Sequence, residues 1–501
     1  MYGNEKGFGN SQQNNYAQSQ GQVPYQGQGQ APPSYASAYH GQVPPPFAGV
    51  APMKSPSAGS MPEKQEGMFQ ATEWRDLWAA VLYYVHLIVL LAITGYYGYD
   101  VMGNFNIGKV SKETQIFASF ILGSVVSTVL LIAGFLAIVH RVPESTIKGT
   151  LIASVVVDIC FAVSSFLSPS GVVFGIFMLV IALINAIVFF LWRNRIPFSS
   201  VLLTTVIDVF RQYPSVWNLP VISTSLLSGL MVVYAIASAG IFSHFKADKV
   251  EPLEQALAVF LTFSFYWNFQ VIQNVVLTTV AGTMASFYFL AGTGAAVANP
   301  VWSSLKRATT LSFGSICFGS LIIALIQLLR ALLRSARGND DRNIAAVIAN
   351  VLLGVIEDLA RYLNFYAYIH IAIYGKPFIP SAKDTWEMVK EHGVDVIIND
   401  NIVGTTMFIA ALLIATVNAF LTFCIYLFAV RSDVSGVFFA YFYAITSFLI
   451  GLFLALSAFH MISSGVSTTL VCYAENPGAL QQTKPELYQQ ITSKYRVGAN
   501  I

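Results

Sequence analysis

Charged residues are scarce in this 501-residue chain: they form 10% of it, whereas a soluble globular protein carries about 25%. Lys and Arg (27) nearly balance Asp and Glu (25), so the chain lacks the basic excess typical of nucleic-acid binding. Hydrophobic residues reach 55%, and the mean hydropathy is +0.61. A soluble fold of this size could not keep its surface hydrated with so few charges. The composition therefore predicts a polytopic membrane protein that contacts the lipid bilayer and binds no nucleic acid.

Cysteine is sparse as well, and the motifs of soluble enzymes are absent. The four cysteines lie far apart, which excludes a CxxC metal site and argues against a disulfide framework. The chain contains no GxxxxGK[ST] phosphate loop, no HExxH and no GxSxG. We therefore expect no catalytic residue, no metal and no cofactor. Transport, passive or coupled to an ion, and a structural role remain as function classes, and an intramembrane enzyme has the least support.

The first 67 residues differ from the rest. They contain 10 Gln, 10 Gly and 9 Pro and too few aliphatic side chains to form a core. This composition predicts a disordered tail over residues 1–67. Two interpretations of the tail stay open: a solvated leader, or a sorting or regulatory segment that binds protein partners.

Long apolar stretches fill residues 68–459, which we interpret as a helical, transporter-like membrane domain. A bilayer core of about 30 Å requires roughly 20 apolar residues per helix. The prediction is an all-α polytopic membrane protein with about ten transmembrane helices, followed by a cytosolic tail over 460–501. The expected spans are 77–97, 115–139, 149–167, 171–192, 219–242, 256–280, 308–330, 344–374, 402–429 and 436–459.

The lysines and arginines predict an orientation. With the N-terminus in the cytosol, inner segments hold 17 of them and outer segments hold 9. This bias agrees with the positive-inside rule and places both termini in the cytosol. Four arginines in the outer segment 330–343 are the exception, so it stays open whether 308–374 crosses the bilayer twice.

Two stretches have ambiguous patterns. Residues 197–214 are too short and too polar to span, so they form either an amphipathic helix at the cytosolic interface or a buried connecting helix. The span 344–374 carries Glu357, Asp358 and Arg361 near its middle. Glu357 and Arg361 can pair at a spacing of four residues, and this helix then faces a polar interior or lies partly along the surface.

The sixth expected span is the most polar one and carries the candidate substrate site. Trp267, Gln270 and Asn274 recur on one helix face, with Tyr266 beside them. One interpretation is hydrogen-bonded contact between helices. The other is a solute path for a small cation without N–H donors, because aromatic faces attract a quaternary ammonium group.

Two further polar residues lie within expected spans. Asp158 and His86 are candidate proton-responsive groups, because a buried ionisable side chain in a membrane must find a partner or a water-filled cavity. The alternative is structural in each case. Asp158 would then pair with a polar group on a neighbouring helix, and His86 would form a fixed hydrogen bond.

Several segments carry a family resemblance. SFGSICFGSLIIALIQLLRALLR (312–334), LNFYAYIHIAIYGKPFIPSAKDTWEMV (363–389) and FYWNFQVIQNVVLTTVAGTMASFYF (265–289) closely resemble the choline transporter-like family, in its fungal branch. The resemblance implies a ten-helix carrier in the plasma membrane with both termini cytosolic. It also implies uptake of choline or ethanolamine, in some members by exchange with protons.

The resemblance also selects residues. The family's sixth-span tryptophan falls on Trp267, and the Ala-Gly that follows falls on residues 281–282. A second block falls on 372–375 and 381–384, which our orientation places at the cytosolic side. The expected function is secondary transport of choline or a related small organic cation. The alternative is a non-transporting membrane organiser or sensor that uses its N-terminal tail for interactions.

Overall fold

Helices account for nearly all of the structure, a computed structural model that describes residues 73–103, 112–166, 172–244, 251–292, 296–337, 344–429 and 434–499. No strand occurs within these ranges. The tail predicted over residues 1–67 lies outside them. The predicted all-α class is confirmed.

The described residues form fourteen α-helices, several of which begin at a proline, whose fixed φ suits the first helical turn. A 3₁₀ turn, Pro214–Trp217, precedes α6. The helices are α1 (Leu77–Gly103), α2 (Lys112–Arg141), α3 (Pro143–Phe166), α4 (Val172–Trp192), α5 (Ile196–Gln212), α6 (Asn218–His244), α7 (Pro252–Leu290), α8 (Pro300–Thr309), α9 (Phe313–Arg337), α10 (Ile344–Tyr374), α11 (Phe378–Ala429), α12 (Val434–Glu475), α13 (Pro477–Thr483) and α14 (Pro485–Ala499).

Seven helices in the described ranges are long and apolar enough to cross a membrane: α1, α2, α6, α7, α9, α11 and α12. An eighth span results if α4 and α5, which meet at a bend of 87°, count as one. Ten spans were expected. Those at 149–167 and 344–374 fall on α3 and α10, which are not among the seven. The membrane character is confirmed, whereas hydropathy supports seven or eight crossings.

α7 lies inside the bundle. Of its apolar stretch, 78% is buried within the protein, against 11–39% in the other six helices. It packs against α6, α8, α9, α10 and α12, and also contacts α1. The side chains on α7 are therefore the ones that other helices surround, which makes this helix the natural place for a site.

α5 is the helix expected at 197–214, and it is a buried connecting helix. Leu202, Val206 and Phe210 on its apolar face are fully buried in the main core. Asp208 and Arg211 on the opposite face are exposed and bind His140 of α2. Of the two interpretations of this stretch, the structure favours the buried connection.

The charges near the middle of α10 form one cluster with α9. Glu357 is buried and accepts from Arg361 at 2.6 Å, as the spacing predicted. It also accepts from Arg330 of α9. At 1.5 Å per residue, Arg330 lies about 25 Å along α9 from Phe313. The cluster thus lies toward one end of a 30 Å apolar layer, where charges are less unfavourable than at its centre.

Candidate functional site

Trp267 lies in the interior of the bundle, on the buried part of α7. Only 1% of its surface is exposed. Its indole Nε1–H donates to the backbone carbonyl of Cys317 on α9 at 3.1 Å. A buried indole requires such a partner, and here the partner leaves both ring faces to contact other side chains.

The rest of the predicted polar stripe faces α9 and α10. Asn274 Nδ2 donates to Ser320 Oγ at 2.9 Å and to Tyr368 Oη at 3.3 Å. Gln270 is buried one turn away. Tyr266 is partly buried and packs against the cluster that contains Trp267. The structure therefore places Trp267, Asn274 and Tyr266 at contacts with neighbouring helices, and Gln270 is buried between Tyr266 and Asn274 in the sequence.

Trp267 belongs to an aromatic cluster of five rings. The cluster consists of Tyr83 and His86 of α1, Phe263 and Trp267 of α7, and Phe313 of α9. The ring centroids of His86, Tyr83 and Phe263 lie 4.9, 5.3 and 5.5 Å from that of Trp267. Phe313 packs on Tyr83 at 5.7 Å. Three helices thus contribute rings to one buried region, and aromatic rings attract cations through their faces.

A polar network runs beside the aromatic cluster, formed by Tyr83, His86, Tyr234, Ser264 and Asn268. Tyr83 Oη donates to Asn268 Oδ1 at 2.7 Å. Asn268 Nδ2 donates to Tyr234 Oη at 2.8 Å. Ser264 Oγ lies 2.8 Å from Tyr234 Oη and 2.7 Å from His86 Nε2. Neutral hydrogen bonds therefore join α1, α6 and α7 at the same depth as the rings.

Tyr83, Tyr234, Ser264 and Asn268 were not among the predicted site residues. Two signals on single helices were available. Tyr83 and His86 are three apart on α1, and Ser264 and Asn268 are four apart on α7, so each pair shares a face. Tyr234 had no such signal, because its partners lie on another helix.

The two candidate proton-responsive residues occupy different places. His86 belongs to the aromatic cluster, and its Nε2 lies 2.7 Å from Ser264 Oγ, the fixed hydrogen bond of its structural alternative. Asp158 on α3 accepts from Asn185 Nδ2 of α4 at 2.8 Å. The structure thus brings His86 to Trp267, whereas Asp158 contacts a polar residue on a neighbouring helix, the arrangement of its structural alternative.

A small cavity lies where the two blocks selected by the resemblance meet. It has a volume of about 10 Å³, room for one water molecule, and its lining includes Gly282, Arg307, Ala372 and Gly375. A Cβ added to Gly282 would lie 2.6 Å from Ser304 Oγ, so only glycine allows α8 this close to α7. Burial lowers the pKa of the Arg307 guanidinium from its ordinary value.

Metal binding has no support in the described part of the chain. Within the ranges given above, no three His, Cys, Asp or Glu side chains lie close enough to hold a metal ion.

Comparison with known proteins gives a family. The model of the family described as plasma-membrane choline transporter matches residues 176–478. Protein PNS1 of Mycosarcoma maydis is 32% identical, covering 81% of this chain and 79% of its own. A CTL-like protein of Dictyostelium discoideum is 30% identical over 86% of this chain and 77% of its own. Protein PNS1 of Kluyveromyces lactis is 27% identical over 95% of both. The resemblance found in the sequence, including its fungal branch, is confirmed.

Proposed function

Because the chain belongs to the plasma-membrane choline transporter family, we propose that it is a secondary transporter of choline or a related small organic cation across the plasma membrane. The aromatic cluster around Trp267 is the observation that carries the choice of substrate. It lies on the most buried helix of a multi-pass membrane protein and draws on α1, α7 and α9.

The chemistry of the cluster suits a cation without N–H donors. A quaternary ammonium group is held by dispersion and by the electron-rich faces of aromatic rings. The polar neighbours on α7, Asn268, Gln270 and Asn274, are neutral amides. A metal ion would favour carboxylate ligands, and the aromatic cluster and the polar network beside it include no Asp or Glu among the residues named above.

The orientation follows from the lysines and arginines. Counted over the ten expected spans, which include α3, α4 and α10 as crossings, the inner segments hold 17 and the outer segments 9 when both termini are cytosolic. In this orientation, the start of α1, the start of α9 and the end of α10 lie at the cytosolic face. The substrate would pass from the outer ends of α1 and α7 to that face.

Proton coupling, if the transporter uses it, is assigned to His86 rather than to Asp158. The His86 ring contacts the Trp267 ring, so protonation of His86 would place a positive charge where the cationic substrate binds. The two charges would then exclude each other, which is the requirement for exchange of substrate against a proton. The hydrogen bond of Asp158 goes to α4 instead. The assignment predicts that substrate uptake by a His86 variant no longer depends on the pH gradient.

Uptake of labelled choline into proteoliposomes tests the function. We expect the purified protein to give saturable uptake above that of protein-free liposomes. Trp267→Ala should weaken the apparent affinity for choline by about tenfold or more, because a desolvated cation–ring contact contributes about 2 kcal/mol. Trp302→Ala is the matched control, since Trp302 is 67% exposed on α8 and outside the aromatic cluster.

Two results would contradict the proposal. Uptake by folded wild-type protein that stays at the level of empty liposomes would refute the transport of choline. Unchanged uptake by Trp267→Ala would refute the site at Trp267 but not the transport of choline. If the rings bind the quaternary ammonium group, tetramethylammonium should compete with choline for uptake by the wild-type protein, so it serves as a second probe of the site.

A further inference from the structure

Residues 75 and 76, directly before α1, are tied to two other parts of the bundle. Asp76 Oδ2 accepts from Ser315 Oγ of α9 at 2.6 Å and from the Phe378 backbone N–H of α11 at 2.8 Å. The Arg75 backbone N–H donates to the Leu311 carbonyl at 2.9 Å. One carboxylate thus joins the beginnings of α1, α9 and α11.

The backbone is shaped around this contact. Arg75 Nε donates to the carbonyl of Gly375 at 3.2 Å, and Gly375 has the positive φ of 64° that favours glycine. Asp76 has a φ of 48°, a left-handed conformation that non-glycine residues adopt at an energetic penalty. A Cβ on Gly314 would lie 2.3 Å from the Arg75 and Asp76 carbonyls. Three positions therefore have the geometry that this close approach requires.

Aromatic rings of α1, α9, α10 and α11 pack near the contact. Trp78 of α1 packs edge-on against Phe318 of α9 at 5.0 Å between ring centroids. Phe318 packs against Phe378 of α11 at 5.2 Å, and Phe378 lies 6.1 Å from Tyr368 of α10. Ring contacts thus also join α1, α9 and α11, the three helices that Asp76 links.

The contact lies close to the candidate site along α9, because Ser315, which binds Asp76, is two residues before Cys317. Cys317, whose carbonyl binds the Trp267 indole, precedes Phe318 and lies about 6 Å along α9 from Phe313. Cys317 is fully buried. Ser315 is therefore nearer the start of α9 than the carbonyl that binds Trp267, at the end of the helix that the proposed orientation places in the cytosol.

We propose that Arg75 and Asp76 form a latch that holds the cytosolic end of the transporter closed over Trp267, and that the latch opens by separation of Asp76 from Ser315 and Phe378. The inference rests on the proposed function as a transporter and on its orientation, but not on the identity of the substrate.

Accessibility of Cys317 tests the latch. The assay uses the full chain with one native cysteine left, Cys317, after alanine replacement of Cys160, Cys424 and Cys472. A small, membrane-impermeant thiosulfonate reagent is applied to inside-out and to right-side-out vesicles, and modification is followed by mass spectrometry. We expect slow modification in the otherwise wild-type background. Asp76→Ala should accelerate it at least tenfold in inside-out vesicles only, because two hydrogen bonds to a carboxylate are lost.

Three variants keep the outcome interpretable. Glu73→Ala is the matched control: its carboxylate is 73% exposed and binds Arg75 NH1, not the Nε that donates to the Gly375 carbonyl, so the rate should stay at the wild-type value. Asp76→Asn tolerates the left-handed backbone and keeps one acceptor oxygen, so an intermediate rate is expected. Ser315→Ala removes a single bond and replaces Asp76→Ala if that variant fails to give a monodisperse protein.

Equal rates in wild type, Asp76→Ala and Ser315→Ala would overturn the latch. So would acceleration from the right-side-out face, or the same acceleration in Glu73→Ala. The assay contains no substrate, so a protein that does not carry choline can still open at Asp76. Conversely, if the protein transports choline but Asp76→Ala does not change the modification rate of Cys317, only the latch is refuted.

Discussion

Replacement of Asn268 is the sharpest test of how the interior of the bundle is held together. Asn268 is 1% exposed and links three helices: it accepts from Tyr83 of α1 and donates to Tyr234 of α6. Asn268→Leu keeps the branched shape and the number of heavy atoms of the side chain and removes the two hydrogen bonds to other helices. A leucine on a helix in a membrane is otherwise well tolerated, so the change isolates the polar interaction.

The expected magnitude follows from the number of bonds. Hydrogen bonds between membrane helices contribute about 0.6 kcal/mol on average and up to about 1.7 kcal/mol. Two of them are lost. The Tyr83 hydroxyl then has no acceptor among the contacts described, whereas Tyr234 keeps Ser264. We expect Asn268→Leu to lower the free energy of unfolding by about 1–3 kcal/mol.

Reversible unfolding in mixed micelles measures this value, and Tyr83→Phe supplies the second side of a double-mutant cycle. Tyr83→Phe alone should cost about 0.6 kcal/mol and should cost nothing in the Asn268→Leu background, because the same bond is already gone. Asn268→Leu at wild-type stability, or full additivity of the two changes, would refute the network as a source of stability.

Two further predictions concern packing and coupling. A Cβ on Gly319 would lie 2.4 Å from Tyr368 Oη, so Gly319→Ala should lower stability by about 1–3 kcal/mol in thermal unfolding; Gly404→Ala, with nothing within 4 Å, is its neutral control. In proteoliposomes with an imposed pH gradient, His86→Gln should remove the effect of the gradient on choline uptake and Asp158→Asn should keep it; the opposite pattern would assign coupling to Asp158.

The membrane class and the polar stripe of α7 could be predicted because both are local properties. Composition and 20-residue runs of apolar side chains identify lipid-facing helices without any knowledge of their neighbours. The i, i+3 and i+7 spacing of Trp267, Gln270 and Asn274 likewise shows that they share a face. The pairing of Glu357 with Arg361 needed only a spacing of four residues.

The partners of these residues could not be predicted, because they come from distant parts of the chain. Tyr83 and Asn268 are 185 positions apart, and Asp76 and Phe378 are 302 apart. Nothing in either local sequence indicates which helices pack together. The span count shows the same limit: α10 is largely apolar in sequence, but its buried Glu357 pairs with Arg330 of α9, a partner that the local sequence does not indicate.

The most direct test of the central claim is a density map of the purified protein in lipid nanodiscs at saturating choline, beside one without it. The aromatic cluster predicts a compact non-protein density against the Trp267 ring, within about 6 Å of the ring centroid, that is absent without choline. A choline density elsewhere in the bundle, with the rings of Tyr83, His86 and Trp267 packed on each other in both maps, would contradict it.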